Sequence, residues 1–470
     1  MDIVFAKGIS IAAAVLLARL LTPRDFGLMG MIYIFTNISS TLVDSGMNSS
    51  LIRSQDANTK DFSTVFYSNI GLSTLLYAII FACAPLIANF YEEPELVLII
   101  RIYAVFIIIT SFASVQHSIL SKAMNFKKLM LLNLPGNIIG SAAGITMAYN
   151  GYGVWSIIAM HVLTQAVFSL LLWLVSDWKP KLFFSKSILK KHFSFGYKLM
   201  LANLINSTFT NVYNVVIGKF YTTQQLGQYD RAKSFSAYPL MILTSVIGKV
   251  TYPLMSSIQD ETERLKRTYV QILKLSFFIS VPVLLTLSVI AKPLFLLALG
   301  DQWEEASIFF SILCLAGILY PLSAFNLNLI KVHGRSDWFL KLEIIKKSLM
   351  LVVVLITFSF GVYVLVWGAV IVSVTGFLIN AYYTSKLIDY QVREQLLHMV
   401  KTIALGAIMY ASMYFMFILL RPNALYLQII ITSAVGLLIY ISFAFWFKSK
   451  ALSYLIKLLQ SQLKRKQNKS

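Results

Sequence analysis

Long apolar blocks recur along the whole chain, and they limit its fold more than any other feature. "STLLYAIIFACAPLIANF" (73–90), "LVLIIRIYAVFIIITSFA" (96–113) and "VLLTLSVIAKPLFLLAL" (283–299) each approach the ~20 residues that cross a bilayer core as a helix. Only 13% of the 470 residues are charged and mean hydropathy is +0.73, whereas soluble domains carry about 25% charged residues. A deficit this deep over this length leaves most of the chain out of contact with water. The chain reads as an all-α polytopic membrane protein.

Polar clusters divide it into about fourteen candidate transmembrane helices, near 2–21, 26–48, 62–90, 96–120, 129–149, 152–176, 194–219, 234–255, 270–298, 304–330, 342–360, 362–387, 399–420 and 424–447. The longest connection, 177–193, reads "DWKPKLFFSKSILKKHF" and is too short for a soluble domain. The first run contains Lys7 and Arg19 and has no small-residue cleavage site, so it reads as a retained helix. Cys83 and Cys314 both fall inside apolar blocks and read as small hydrophobes.

Lys and Arg concentrate in cytoplasmic loops. With the N-terminus inside, most of the 40 basic residues fall in inside connections, including Lys122, Lys127, Lys128, Lys190, Lys191, Lys346, Lys347 and the tail. An odd number of helices would put part of this excess on the wrong face. The pattern predicts both termini in the cytoplasm. It also accounts for most of the +20 net charge, so a nucleic-acid partner is not required.

Two short stretches echo each other. "ARLLTPRDFGLMG" (18–30) and "GKFYTTQQLGQYD" (218–230) align Arg19 with Lys219, Thr22 with Thr222 and Gly27 with Gly227 at one interval. A second echo, "APLIANFYEEPEL" (84–96) against "AKPLFLLALGDQWEEAS" (291–307), follows the third helix of each half. Six helices per copy is an even number, so both copies enter the membrane in the same sense. Parallel repeats of this kind are a transporter plan, with the substrate site expected between the repeats.

"LLARLLTPRDFGLMGM" (16–31), "LGQYDRAKSFSAYPLMILTSVIGKVTYPLMSSIQDETERLKRTYV" (226–270) and the fourteen-helix plan resemble Wzx-type polysaccharide flippases. The resemblance is nearest to the exporters of colanic acid and related lipopolysaccharide or O-antigen repeat units, within the multidrug/oligosaccharidyl-lipid/polysaccharide superfamily. It implies a six-helix bundle over 1–193, a second over 194–398, two additional helices over 399–447 and a basic cytoplasmic tail over 448–470. It also implies that the protein moves undecaprenyl-diphosphate-linked oligosaccharide across the bacterial inner membrane, with a polysaccharide polymerase and glycosyltransferases as partners. Many such proteins carry an acid in the seventh helix near "NVYNVVIGK", where this chain has Asn211, Tyr213 and Asn214.

Ionisable groups inside membrane helices are costly and mark cavities or ion pairs. Here they are Lys7, Arg19, Asp44, Arg101, Lys198, Lys249, Lys274 and Glu343. Bases outnumber acids, which suits a phosphate-bearing substrate, because phosphate oxygens accept charge-assisted hydrogen bonds. Arg19, Lys198, Lys249 and Arg101 are the candidate cavity bases. Arg19, Lys219 and Lys274 lie near helix ends and could equally snorkel to the interface, and Arg101 could pair with a neighbour. Asp44 is the candidate for ion coupling, or a partner for Lys7. Asn203, Asn206 and Thr210 share one helical face at spacings of three and four, which suits sugar hydroxyls or contacts between helices. Pro135, Pro239, Pro253, Pro282 and Pro321 are read as interrupting helices.

No nucleotide-binding loop, metal-ligand spacing or catalytic triad is apparent, and the five histidines are scattered. No cofactor is expected. The expected function is a lipid-linked oligosaccharide flippase. A lipid II or multidrug transporter of the same superfamily, or a membrane polysaccharide polymerase or ligase, remain the alternatives.

Overall fold

The computed structural model describes residues 2–456 and residue 460, apart from the side chains of residues 2–7, 245–250 and 252. Most of the basic tail and the side chains of Lys7 and Lys249 therefore lie outside the described residues. Among the described residues there is no strand.

The chain forms two compact units, Met1–Asp230 and Arg231–Ser470. The first contains α1 (Asp2–Leu20), α2 (Pro23–Asp44), α3 (Met47–Arg53), α4 (Thr59–Tyr91), α5 (Leu96–Tyr103), α6 (Val105–Lys122), α7 (Phe126–Tyr149), α8 (Val154–Val175), α9 (Lys186–Thr210), α10 (Val212–Phe220) and the start of α11 (Thr223–Ser257). The second continues through α12 (Thr262–Val289), α13 (Ala291–Leu299), α14 (Glu304–Gly317), α15 (Tyr320–Val332), α16 (Ser336–Thr357), α17 (Val362–Ile388), α18 (Val392–Leu419) and α19 (Leu425–Trp446).

Ten described helical segments are long and apolar enough to cross a membrane, and Gly8–Leu20 is a shorter apolar helix. The protein is a multi-pass membrane protein. Polar residues set where its helices start. Thr22 and Asp25 form a reciprocal capping box on α2, with Pro23 in the first turn, and Asn58 with Asp61 does the same for α4. Asn125 caps α7 by accepting from the Lys128 N–H at 3.2 Å.

Small residues set how closely the helices approach. Gly136, Gly140 and Gly144 run along one face of α7, and a Cβ at each would stand within 3.0 Å of Thr164, Met160 or Ser156 of α8. This is the small-residue packing that membrane helices use where burial in lipid gives no hydrophobic gain. In the second unit the Tyr440 hydroxyl donates to the Phe278 carbonyl at 2.9 Å, and the Tyr269 hydroxyl donates to Asn326. These bonds satisfy polar tips inside an apolar core of α12, α15, α18 and α19 side chains.

Several expected boundaries change. Residues 177–193 are not a loop throughout. The Ser185 hydroxyl accepts from the Ile188 N–H, and α9 begins at Lys186. The expected helix over 304–330 breaks at Ile318 and Leu319, and Pro321 stands just past that break in the first turn of α15, where its missing N–H costs nothing. The expected helix over 96–120 bends at Ala104, and that over 194–219 bends at Asn211. Pro135, Pro239, Pro253 and Pro282 do lie inside helices, as does Pro85.

Candidate functional site

The two echoed turns meet. In the first, the Thr22 N–H donates to the Asp25 carboxylate at 2.9 Å and the Asp25 N–H donates back to the Thr22 hydroxyl. In the second, the Thr222 N–H donates to the Gln225 side chain at 3.4 Å and the Gln225 N–H donates to the Thr222 hydroxyl at 3.1 Å. The repeated interval thus carries one helix start used twice. A Cβ on Gly27 would lie 1.9 Å from the Thr223 carbonyl oxygen, and one on Gly227 would lie 1.7 Å from the Pro23 carbonyl oxygen. Only glycine allows the two turns to cross this closely.

The loop after α4 fastens the crossing. Glu93 pairs with Arg24 at 2.8 Å and accepts from the Thr223 hydroxyl, Glu95 reaches Arg24 at 3.3 Å, and Glu92 pairs with Lys219 at 2.8 Å. The Lys219 ammonium holds the Glu92 carboxyl below the usual carboxylate range. Arg24 comes from one turn, while Thr223 and Lys219 flank the other. One acidic loop therefore ties both.

A second close approach joins α9 to the α2–α3 junction. Ser45 and Gly46 turn the chain in the left-handed region, with φ of 46° and 64°. A Cβ on Gly46 would stand 2.3 Å from the Gly196 carbonyl oxygen, and one on Gly196 would stand 2.4 Å from that of Ser45.

Between these two crossings α2 and α9 face each other through polar groups. The Thr41 hydroxyl lies 3.5 Å from that of Ser207 and donates to the Asn37 carbonyl at 2.8 Å. Only His192 and Gly196 of α9 are buried. At 3.6 residues per turn, Asn203, Asn206 and Thr210 continue the stripe that His192 and Gly196 begin, yet all three are exposed. The same stripe therefore leaves contact with the unit and becomes an open polar face. Thr210 also donates to the Asn206 carbonyl at 2.8 Å. Lys198 is exposed and sits roughly 120° around the helix from His192, its ammonium 6.0 Å from the centre of the Tyr197 ring.

The other candidates are dispersed. Arg19 is exposed in the last turn of α1. Arg101 lies with its guanidinium 4.3 Å over the Phe81 ring and its Nε 3.4 Å from the Phe81 carbonyl oxygen, a cation–π seat. Lys249 lies on α11, with its side chain outside the described residues.

Asp44 faces a cavity of about 310 Å³ inside the first unit, shared with Ser40, Asn48, Thr110, Ser111, Ser114, His117 and Gln165. Asn48 stands beside its carboxylate, and its Oδ1 is buried without a hydrogen-bond partner among the described residues. Asn69 extends the network, donating to Ser114 at 2.9 Å and to Asn48 at 3.4 Å.

A Ser–His–Asp chain is also present, contrary to the expectation that no triad would form. The Ser50 hydroxyl lies 2.9 Å from His192 Nδ1, and His192 Nε2 lies 3.0 Å from Asp61. All three residues are buried, leaving no room for a substrate at the hydroxyl. The chain instead pins α3, α4 and α9 together below the Gly46–Gly196 contact. It escaped sequence reasoning because its members come from three distant segments.

Residues 16–308, more than half of the chain, match the family described as "Polysaccharide biosynthesis protein". The chain belongs to this family. It is similar to the teichuronic acid biosynthesis protein TuaB of Bacillus subtilis (strain 168), with 24% identity over 331 residues, 70% of this chain and 68% of that protein. It is similar to the lipopolysaccharide biosynthesis protein WzxC of Escherichia coli (strain K12), with 23% identity over 351 residues, 74% of this chain and 71% of that protein. Among solved structures, the lipid II flippase MurJ in an inward closed conformation superposes with a TM-score of 0.76 and 14% identity, over 95% of this chain and 98% of that one. This polysaccharide biosynthesis protein therefore has the fold of a membrane flippase.

Asn214 stands on α10, and its side-chain amide lies 3.4 Å from the Asp230 carboxylate of α11. Asp230 is buried, and the stacked Tyr213 and Tyr229 rings lie alongside, 6.1 Å apart.

Proposed function

We propose that this protein moves a polyprenyl-diphosphate-linked oligosaccharide from the cytoplasmic to the outer leaflet of the bacterial inner membrane. It acts after the glycosyltransferases that build the unit and before the polymerase that joins units into a surface polysaccharide. Family membership and the flippase fold support this reading. The observation that carries it is the polar seam between α2 and α9, bounded by the Gly27–Gly227 and Gly46–Gly196 contacts. Its hydroxyls, continued by Asn203, Asn206 and Thr210 on the open face of α9, match sugar hydroxyls, and close-packed backbones at both ends suit a path that opens at one end at a time.

In this reading fourteen helices span the membrane, with both termini in the cytoplasm. The ten apolar segments are joined by α1, α9 with α10, α11 and α16. Residues 1–193 and 194–398 form two six-helix bundles, 399–447 supply two more helices and 448–470 a basic tail. Asn203, Asn206 and Thr210 meet the sugars. Arg19, Lys198 and Lys249 meet the diphosphate, which needs more than one positive partner once water is stripped away. Arg101 supports its own bundle through Phe81. Asp44 takes up the coupling cation or proton, a role that its unpartnered oxygen and its cavity of hydroxyls and amides support.

The test is glycan export by variants matched to wild type in membrane abundance. An Asn203→Ala/Asn206→Ala/Thr210→Ala triple variant is expected to lose most export. Full export by that variant would remove this polar face of α9 from the mechanism.

A further inference from the structure

The second unit carries a cavity that the proposed transport path does not use. It lies where α12, α18 and the chain just beyond α19 come together, and measures about 560 Å³. A smaller compartment of about 270 Å³ adjoins it and shares Lys274, His398 and Lys450 with it. Lys401 and Lys448 complete the positive lining of the smaller compartment, which has no acidic residue in its wall. The larger compartment adds Glu263, Glu394, Lys266 and Arg267. Among the described residues, neither Lys274 nor Lys450 makes a salt bridge.

Four lysines line one small compartment, where an anion bound between them would offset their mutual repulsion. The backbone is bent to bring them there. Lys448 has φ of 48°, the left-handed region that residues with a Cβ rarely adopt. This turn follows the end of α19, and it carries Lys450 back toward α12 and α18.

The surroundings indicate the kind of anion. Phe445 and Trp446 are largely exposed at the end of α19, and aromatic residues at a helix end mark the headgroup level of a bilayer. Leu275, Leu397 and Ala451 form the apolar part of the wall, suited to the glycerol and first methylenes of a lipid. Phosphate oxygens take several charge-assisted hydrogen bonds from lysines at once, and basic pockets between membrane helices bind lipid headgroups.

We propose that Lys274, Lys401, Lys448 and Lys450 form a binding site for the phosphate of an anionic phospholipid headgroup, separate from the transport path. The occupied site would fix the end of α19 against α12 and α18.

The test is native mass spectrometry of the detergent-solubilised full chain, titrated with phosphatidylglycerol and, in a separate arm, with phosphatidylcholine. Wild type should retain phosphatidylglycerol in preference to phosphatidylcholine. Lys274→Gln/Lys450→Gln should bind phosphatidylglycerol at least tenfold more weakly, because each base near a membrane surface contributes about one factor of five to ten. Lys274→Arg/Lys450→Arg should restore binding. Should the Gln double variant fail to fold, Lys401→Gln, an exposed change, should still weaken the lipid adduct severalfold. Unchanged phosphatidylglycerol binding in the folded Gln variants would overturn the proposal. So would displacement of the lipid by equimolar inorganic pyrophosphate, which would assign the pocket to free phosphate instead.

Discussion

Gly27 and Gly227 lie back to back, each where a methyl group would strike the other turn's backbone, at 1.9 Å from the Thr223 oxygen and 1.7 Å from the Pro23 oxygen. Backbone atoms cannot rotate aside as a side chain can. Gly27→Ala or Gly227→Ala must push the turns apart, with a cost of about 1–3 kcal/mol or more. The expected outcome is a Tm several degrees lower in detergent and reduced export. An alanine variant with wild-type Tm would contradict the crossing.

The Glu92–Lys219 pair predicts a pH effect. Glu92 titrates below its ordinary value because of Lys219. A depressed carboxylate contributes stability above its unfolded pKa and loses it as pH falls through the folded value. Wild type should therefore exceed Lys219→Gln in Tm at pH 7, by a small margin fitting an exposed pair, and the margin should shrink as pH falls below the ordinary carboxylate range. A margin that widens on acidification would contradict the pairing.

Removing His192 should cost more. His192→Ala would leave the buried Asp61 carboxylate with its capping bond to the Asn58 N–H and a distant Lys191 at 3.9 Å. Removing the hydrogen-bond partner of a buried carboxylate costs about 1–3 kcal/mol. Membrane abundance and Tm should both fall. His192→Gln, which keeps a donor, should be milder. Equal effects of the two changes would show that packing, and not the Asp61 contact, is what His192 supplies.

Asp44→Asn keeps the shape of the side chain and removes its charge. Its fold should survive, because an amide fits the same cavity of hydroxyls and amides. In reconstituted vesicles the variant should lose the stimulation of transport by an imposed sodium or proton gradient. Stimulation equal to wild type would return Asp44 to a structural role.

How much of this was legible in the sequence follows from what each feature depends on. The membrane class was legible because lipid demands long apolar runs, and residues 73–113 could serve nothing else. The stripe of Asn203, Asn206 and Thr210 was legible because helical spacing alone puts them on one face. The interval between Gly27 and Gly227 was visible, but the contact was not, since no local pattern says that two turns cross. The start of α9 was hidden because Lys186–His192 is polar and resembles a loop. Ser50, Asp61 and His192 meet only after α3, α4 and α9 pack, so no spacing rule could join them. Arg101 was read by its charge, and its seat on Phe81 depends on the rotation of α5 against α4.

The central claim is that lipid-linked oligosaccharide crosses the membrane by way of the seam between α2 and α9. Thr41 and Ser207 face each other there, with hydroxyl oxygens 3.5 Å apart, so cysteines at the two positions would face each other for cross-linking. The decisive measurement is protein-dependent translocation of a polyprenyl-diphosphate-linked oligosaccharide in proteoliposomes, using Thr41→Cys/Ser207→Cys in a chain with Cys83 and Cys314 replaced. Translocation should stop when the pair is oxidised and return on reduction. Translocation at the protein-free rate under reducing conditions, or at full rate with the cross-link complete, would contradict the account.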